Sequence, residues 1–220
     1  MERKARIPMQ RRAVEKADKI IDAAFILFNE KGYYNTTTAD IANKAQVATG
    51  SVYAYFEDKK DIYIQVLKRI HEKFANPTRD FWTKNKISLN NADEAKELFN
   101  LFLKLMLEYH NFSKMFHDEM EALKRLDEEI KSECSILDVA RLQITKDVFG
   151  IISIPFKSEK DSQLFLHYST FLIDDLCHTI LYDQTTENID LYMDRCSHML
   201  YSLLEESVDL SKWTKGHLPT

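Results

Sequence analysis

Hydroxyls set close together, with an ammonium at the end of the run, mark the stretch from Gly32 to Lys59, GYYNTTTADIANKAQVATGSVYAYFEDK. Thr49, Ser51, Tyr53 and Tyr55 leave polar tips at the start and on the outer face of a short helix whose inner side is Val52 and Phe56. Hydroxyls so placed donate to phosphate oxygens or touch base edges and thymine methyls. Gly50 inside a helix costs about 1 kcal/mol against alanine, so its backbone is expected to meet a close neighbour. DNA phosphate is one candidate and tight helix packing is the other. Lys59 opens the next helix beside free backbone amides, where a cation is unfavourable unless an anion is shared between amides and ammonium. Phosphate answers that need.

The elements that must hold these groups are legible on either side. Ile20, Ala24, Leu27 and Phe28 recur at helical spacing, with Ile21 and Phe25 widening the stripe, and predict a helix from about Arg12 to Lys31. Gly32 ends it in a left-handed cap that carries no side-chain penalty, with Tyr33 packed beneath. Thr37-x-x-Asp40 is a capping-box start for a second helix with Ile41, Ala42 and Ala45 on its inner face. A short connection at Gln46 and Val47 leads into a third helix, Thr49 to about Tyr55. Asp58 then caps a fourth, with Asp61 as its reciprocal partner. Two short helices joined by a tight turn and followed by a lysine-headed helix describe a DNA-reading helix-turn-helix.

The wider run AAFILFNEKGYYNTTTADIANKAQVATGSVYAYFEDKKDIY resembles the N-terminal domain of TetR/AcrR-family transcriptional regulators, in LFNEKGYYNTT, DIA, the VxxGSVYxYF block and DKKDIY. The resemblance covers about 50 of 220 residues. It implies DNA contacts from Thr38 at the start of the second helix, from Ala48, Thr49, Gly50, Tyr53 and Tyr55 around the third, and from Lys59, with Ser51 as an added contact. Ala48 stands where the family often has a capping serine, which passes that role to Thr49. Thr49 itself stands where Lys or Arg is common. The basic N-terminal residues Arg3, Lys4, Arg6, Arg11 and Arg12 could restore that charge as an arm on the DNA, or form a solubilising tail.

Composition bounds the rest. Four Gly and four Pro among 220 residues fall far below the roughly 12% of average usage and predict an all-α fold of long helices. Residues 1–75 hold 14 Lys and Arg against 10 Asp and Glu, a net +4, while the remainder holds 16 against 25, a net −9. A basic head on an acidic body steers toward phosphates with one end. Cys134, Cys177 and Cys196 are too few and too scattered for a disulfide framework or a zinc knuckle. With neither a signal-peptide pattern nor an apolar run near the ~20 residues that span a bilayer, the expected setting is cytoplasmic, without a membrane partner.

Pro77 is expected to interrupt the fourth helix and to divide a head, residues 1–75, from a helical effector-binding and dimerisation body, residues 76–220. Further helices are expected over about 78–86, 92–110, 112–127, 129–152, 159–182 and 186–206. The last two carry stripes, Phe165, Tyr168, Leu172, Leu176 and Ile180 on one and Ile189, Tyr192, Met193, Cys196, Leu200, Leu203 and Leu204 on the other. By the resemblance these helices pair with their copies in a homodimer reading a palindrome; ordinary monomer core is the alternative. An aromatic and methionine-rich middle, with polar side chains beside it, makes Phe102, Met106, Phe116, His117, Met120, Tyr168, Phe171 and His178 the candidates for an effector site. For any single one of them, ordinary core packing is the better reading.

The expected protein is therefore a ligand-responsive DNA-binding regulator, in most members of that family a repressor, needing no cofactor. A ligand-independent DNA-binding module acting through a protein partner is the alternative. An enzyme would need a ligand or catalytic set; the nearest, His117-x-x-x-Glu121, places two groups on one helix face and reads better as a surface ion pair than as a metal site.

Overall fold

Gly32, Thr37 and Asp58 are the turning points of the N-terminal third, and the helices form between them. The computed structural model describes residues 6–85, 91–110, 112–182 and 188–212. Among these, nine α-helices account for nearly all ordered backbone: α1 (Arg6–Lys31), α2 (Thr38–Lys44), α3 (Thr49–Val52), α4 (Lys59–Lys84), α5 (Ala92–Tyr109), α6 (Lys114–Leu126), α7 (Glu128–Ile151), α8 (Glu159–Tyr182) and α9 (Ile189–Ser207). The all-α expectation holds. Several boundaries differ from it.

α1 begins at Arg6, six residues earlier than its apolar stripe announces. Arg6, Arg11 and Arg12 are thus helical, with Arg11 Nε donating to Glu15 Oε1 at 3.0 Å; Arg3 and Lys4 lie outside the described residues. α3 stops at Val52, and the chain closes through tighter turns, with Tyr55 N–H donating to the carbonyl of Val52 at 3.0 Å. The break expected at Pro77 is absent. α4 runs through it to Lys84, so the separate helix predicted over 78–86 is the end of α4. Proline has no N–H to give to the carbonyl one turn back and crowds it; Phe81 and Trp82, a turn further on, pack in the core of the second unit.

Two compact units emerge. One comprises residues 1–72 and 112–137, the other 73–111 and 138–220. The boundary falls inside α4, near the expected residue 75, but α6 and the first half of α7 group with the N-terminal helices.

In the first unit, α1 packs on α2 and α6, and α2 on α3. Ile20, Ala24, Phe28, Ile41, Ala42, Val52, Ile62, Tyr63, Val66 and Phe116 are buried there. Phe28, Tyr33 and Tyr63 meet at 5.0–5.6 Å between ring centroids, and Phe116 joins Tyr63 at 5.9 Å. Each fully buried side chain of this size contributes about 1.5–3 kcal/mol relative to exposure. Arg69 on α4 binds Asp18 and Asp22 of α1, while Lys60 binds Asp127 and Glu129, so α4 is tied on two sides.

In the second unit α5 packs against α9 and α8, and α8 against α9. Its core contains Trp82, Phe99, Phe102, Leu103, Met106, Phe165, Leu176, Leu200 and Leu204. Asn91 caps α5 by accepting from the amides of Asp93 and Glu94. Phe156 pairs with Val208 in an antiparallel bridge, which fastens the connection between α7 and α8 to the end of α9.

The stripes expected at the dimer surface divide differently. Phe165, Leu176, Met193, Cys196, Leu200 and Leu204 are buried in the protomer itself, as the core alternative has it. Tyr168 and Tyr192 of the stripes stay exposed, together with Leu164, Phe171 and Leu181 on α8 and Leu191 and Met199 on α9. Spacing shows that a helix has an apolar stripe; α8 and α9 are apolar on more than one face, and only packing selects which face points inward.

Candidate nucleic-acid interface

Three local devices hold the reading surface. Gly32, at φ 84°, turns the chain after α1, and its N–H closes onto the carbonyl of Phe28 at 3.0 Å. Thr37 Oγ1 accepts from the Asp40 amide at 3.1 Å while Asp40 Oδ2 accepts from the Thr37 amide at 2.9 Å, the complete capping box. Lys31 Nζ adds a third grip on the same carboxylate at 2.8 Å and, with the Thr37 bonds, holds the Asp40 carboxyl well below the usual carboxylate range.

The turn between α2 and α3 contains a feature that composition concealed. Gln46 sits at φ 57°, in the left-handed region, which costs a side-chain-bearing residue about 1–2 kcal/mol. Glycine would mark such a place in sequence; glutamine does not. The Val47 amide, donating to the Ala42 carbonyl at 3.0 Å, helps to close the turn.

α3 is anchored from below by Val52 and Phe56, both buried. Ala48 is its N-cap residue and offers no side-chain bond; Thr49 is already helical, so the cap expected from Thr49 is not made. Ala48, Thr49, Gly50 and Tyr53 are exposed together, Thr38, Ser51 and Tyr55 half-buried beside them. The Thr38 and Tyr53 hydroxyls share a hydrogen bond at 2.9 Å, joining the start of α2 to the end of α3. A Cβ added to Gly50 would meet nothing within 4 Å. Tight internal packing is therefore not the reason for a glycine at that position.

Lys59 behaves differently from its expected role beside free amides. Its ammonium donates to the carbonyls of Tyr33 and Thr36, both at 2.8 Å, and lies 4.2 Å from the centre of the Tyr33 ring. Burial lowers its pKa, and Glu119 partly offsets this. A third N–H is left by valence, so the ammonium braces the α1–α2 turn while one donor stays available in principle. Asp58 Oδ1 accepts from the Asp61 amide at 2.9 Å as expected, but the Asp61 carboxylate returns to the Glu57 amide rather than to Asp58.

The eight effector candidates do not form one site. Phe116, His117 and Met120 belong to α6 in the first unit, where Phe116 is buried among Phe25, Phe28 and Tyr63 and Met120 packs on the same core. Phe102 and Met106 are in the core of the second unit, with the Phe102 ring tilted against Trp82 at 4.8 Å between centroids. His178 faces His110 at 5.7 Å and stacks on Tyr182 at 5.4 Å. Tyr168 and Phe171 line an open groove between α8 and α9, of ≈ 670 Å³, with Leu172, Met199 and Leu203. His117 Nδ1 lies 3.5 Å from Asp118 and Glu121 engages Lys124 at 3.2 Å, so the two are not drawn together as a metal pair. Among the described residues no group of three His, Cys, Asp or Glu side chains is placed to hold a metal ion.

A capped α2, a turn and an α3 with an outward row of small and hydroxyl-bearing side chains have the layout of a helix-turn-helix. Residues 20–66 match the family described as bacterial regulatory proteins, tetR family. Residues 20–66 thus carry the N-terminal domain of TetR/AcrR-family transcriptional regulators. The HTH-type transcriptional regulator HbdR of Aromatoleum sp. (strain CIB) is 47% identical over 60 residues, 27% of this chain and 26% of that protein. The chain thus matches about a quarter of that relative's length. The biofilm operon icaADBC HTH-type negative transcriptional regulator IcaR of Staphylococcus aureus is 29% identical over 149 residues, 63% of this chain and 78% of that protein. A solved structure of a TetR-family regulator from Mesorhizobium loti MAFF303099 has TM-score 0.67 at 16% identity, covering 89% of this chain and 97% of that one. FadR from Bacillus subtilis, solved in complex with stearoyl-CoA, has TM-score 0.56 at 22% identity, over 87% and 99%. At such identities the likeness is one of fold. Among the described residues no helix is long and apolar enough to cross a membrane.

Proposed function

We propose that the protein is a repressor that binds a palindromic operator as a homodimer and is released by a small, mostly apolar effector. The reading is carried by the exposed row of Ala48, Thr49, Gly50 and Tyr53, where the glycine has open space over its backbone. A phosphate or base edge approaches there without meeting a side chain. Thr38, Ser51, Tyr55 and the remaining donor of Lys59 supply contacts around it. Repression is supported by IcaR, a negative regulator that resembles this chain over most of its own length.

Homodimerisation proceeds through α8 and α9, by the faces that carry Leu164, Tyr168, Phe171 and Met199 rather than by the buried stripes. Exposed apolar side chains on two adjacent helices are what a two-fold related copy covers. A dimer presents two copies of α3 to half-sites one helical turn apart. The effector lodges in the second unit near Phe102, Met106 and His178, and acts only through a difference in its affinity for the DNA-competent and released arrangements. That setting is cytoplasmic, where Cys134, Cys177 and Cys196 stay reduced.

Electrophoretic mobility shift on DNA from the gene's own promoter region, at low salt, is the test. The protein should retard a palindromic fragment and release it on addition of the cognate apolar compound. Failure to retard any such fragment ends the proposal. Thermal stabilisation of the protein by apolar small molecules separates it from a ligand-independent module.

A further inference from the structure

The α1–α2 turn is gripped from two sides at a single residue. The amide N–H of Tyr33 donates to Glu119 Oε2 on α6, and its carbonyl accepts from Lys59 Nζ on α4 at 2.8 Å. The same carboxylate lies over Gly32, where an added Cβ would come within 2.6 Å of either oxygen. Lys59 continues to the Thr36 carbonyl, next to Thr37, the cap of α2. From there Thr38 reaches Tyr53 at the end of α3. At the N-cap of α6, nearly two turns before Glu119, the Ser113 hydroxyl donates to the Asn29 carbonyl at 2.7 Å and its amide to Asn29 Oδ1. α6 is thus fastened to the end of α1 at its cap and again at Glu119.

We propose that Glu119 is a positioning residue for DNA binding: by holding the Tyr33 amide it fixes the turn on which the Lys59 ammonium and the Thr38–Tyr53 pair are set. This inference rests on the DNA-binding reading above and adds a residue outside the helix-turn-helix to the machinery that orients it. Three facts support it. First, Gly32 turns the chain out of α1 just before Tyr33, and the amide of Tyr33 has its acceptor in the carboxylate. Second, Gly32 is backbone alone on the side facing α6, which makes room for the carboxylate. Third, a carboxylate beside a half-buried ammonium compensates part of its desolvation, as the effect of Glu119 on Lys59 shows.

The experiment compares the full-length wild type with Glu119→Ala, Glu119→Gln and Glu119→Asp. Operator and random DNA are titrated by fluorescence anisotropy, and the Tyr33 amide is followed by proton–nitrogen NMR. Glu119→Ala should lose about tenfold in operator affinity, the scale of one hydrogen bond to a charged group. The Tyr33 amide proton should move upfield in that variant. Glu119→Gln keeps an acceptor oxygen and should stay within about threefold of wild type. Glu119→Asp keeps the charge but withdraws the acceptor by one methylene, and should fall below Glu119→Gln. That order holds the test together even where Glu119→Ala does not fold. Wild-type binding with an unimpaired Glu119→Ala, or a Glu119→Asp superior to Glu119→Gln, overturns the positioning role alone. A wild type that binds no DNA overturns both readings.

Discussion

Gly50 separates what a residue does for the fold from what it does for a partner. Glycine in a helix surrenders about 1 kcal/mol to alanine, and at this position no internal contact would object to a methyl group. Gly50→Ala should leave stability unchanged or raise it by up to about 1 kcal/mol, while operator affinity falls. Urea unfolding beside anisotropy titration checks both; equal DNA affinity in the variant would remove Gly50 from the interface. Gly32 is the opposite case, since a positive φ and the Glu119 carboxylate both exclude a side chain there. Two glycines that look alike in sequence therefore answer to different causes. Gln46 shows the limit of reading residues singly, because its left-handed backbone is set by the α2–α3 turn and leaves no mark in its identity.

Among the elements, α2 depends most on its cap. At seven residues it is too short to persist by propensity, so its stability comes from Thr37, Asp40 and the packing of Ile41 and Ala42. Thr37→Ala should cost about 1 kcal/mol. The folded-state pKa of Asp40 is lowered by Lys31 first and Thr37 next, which gives the pH dependence its sign. The stabilisation is present above the unfolded carboxyl value of about 3.9 and is lost as pH falls below it toward the lower folded value. The carboxylate is exposed, so salt weakens the effect. Circular dichroism between neutral and acid pH should show Asp40→Asn with a shallower acid decline than wild type; identical slopes would remove Asp40 from the acid response. The capping box was readable from Thr37-x-x-Asp40 because its partners are three residues apart. The role of Lys31 was not, since it acts across a turn that first has to form.

For the whole molecule the decisive surface is the outer face of α8 and α9. Phe171 is 65% exposed, and Tyr168 and Met199 about half as fully covered as a core residue would be. In the proposed dimer, symmetry counts each substitution twice. Phe171→Asp should thus weaken association by on the order of 3 kcal/mol, about a hundredfold, and lower affinity for a palindrome more than for a half-site. Sedimentation equilibrium reads the first effect and gel shift the second. An unchanged monomer–dimer constant would move the interface elsewhere. The grouping of α6 with α1 and α4 also belongs to this scale, and it relocated Phe116, His117 and Met120 from a supposed effector site to the unit that carries the helix-turn-helix.

By itself the sequence determined the helical class, the helix-turn-helix and its polar row, because these rest on spacing within one helix or across one turn. Caps and apolar periods are local, and local chemistry survives in the order of residues. Tertiary structure alone decided which faces of α8 and α9 turn inward, that α4 passes through Pro77, that Lys59 braces a turn, and that Glu119 meets Tyr33 from 86 residues away. Those outcomes depend on competition among several apolar faces and several donors for a limited number of partners. Only packing in three dimensions settles such a competition.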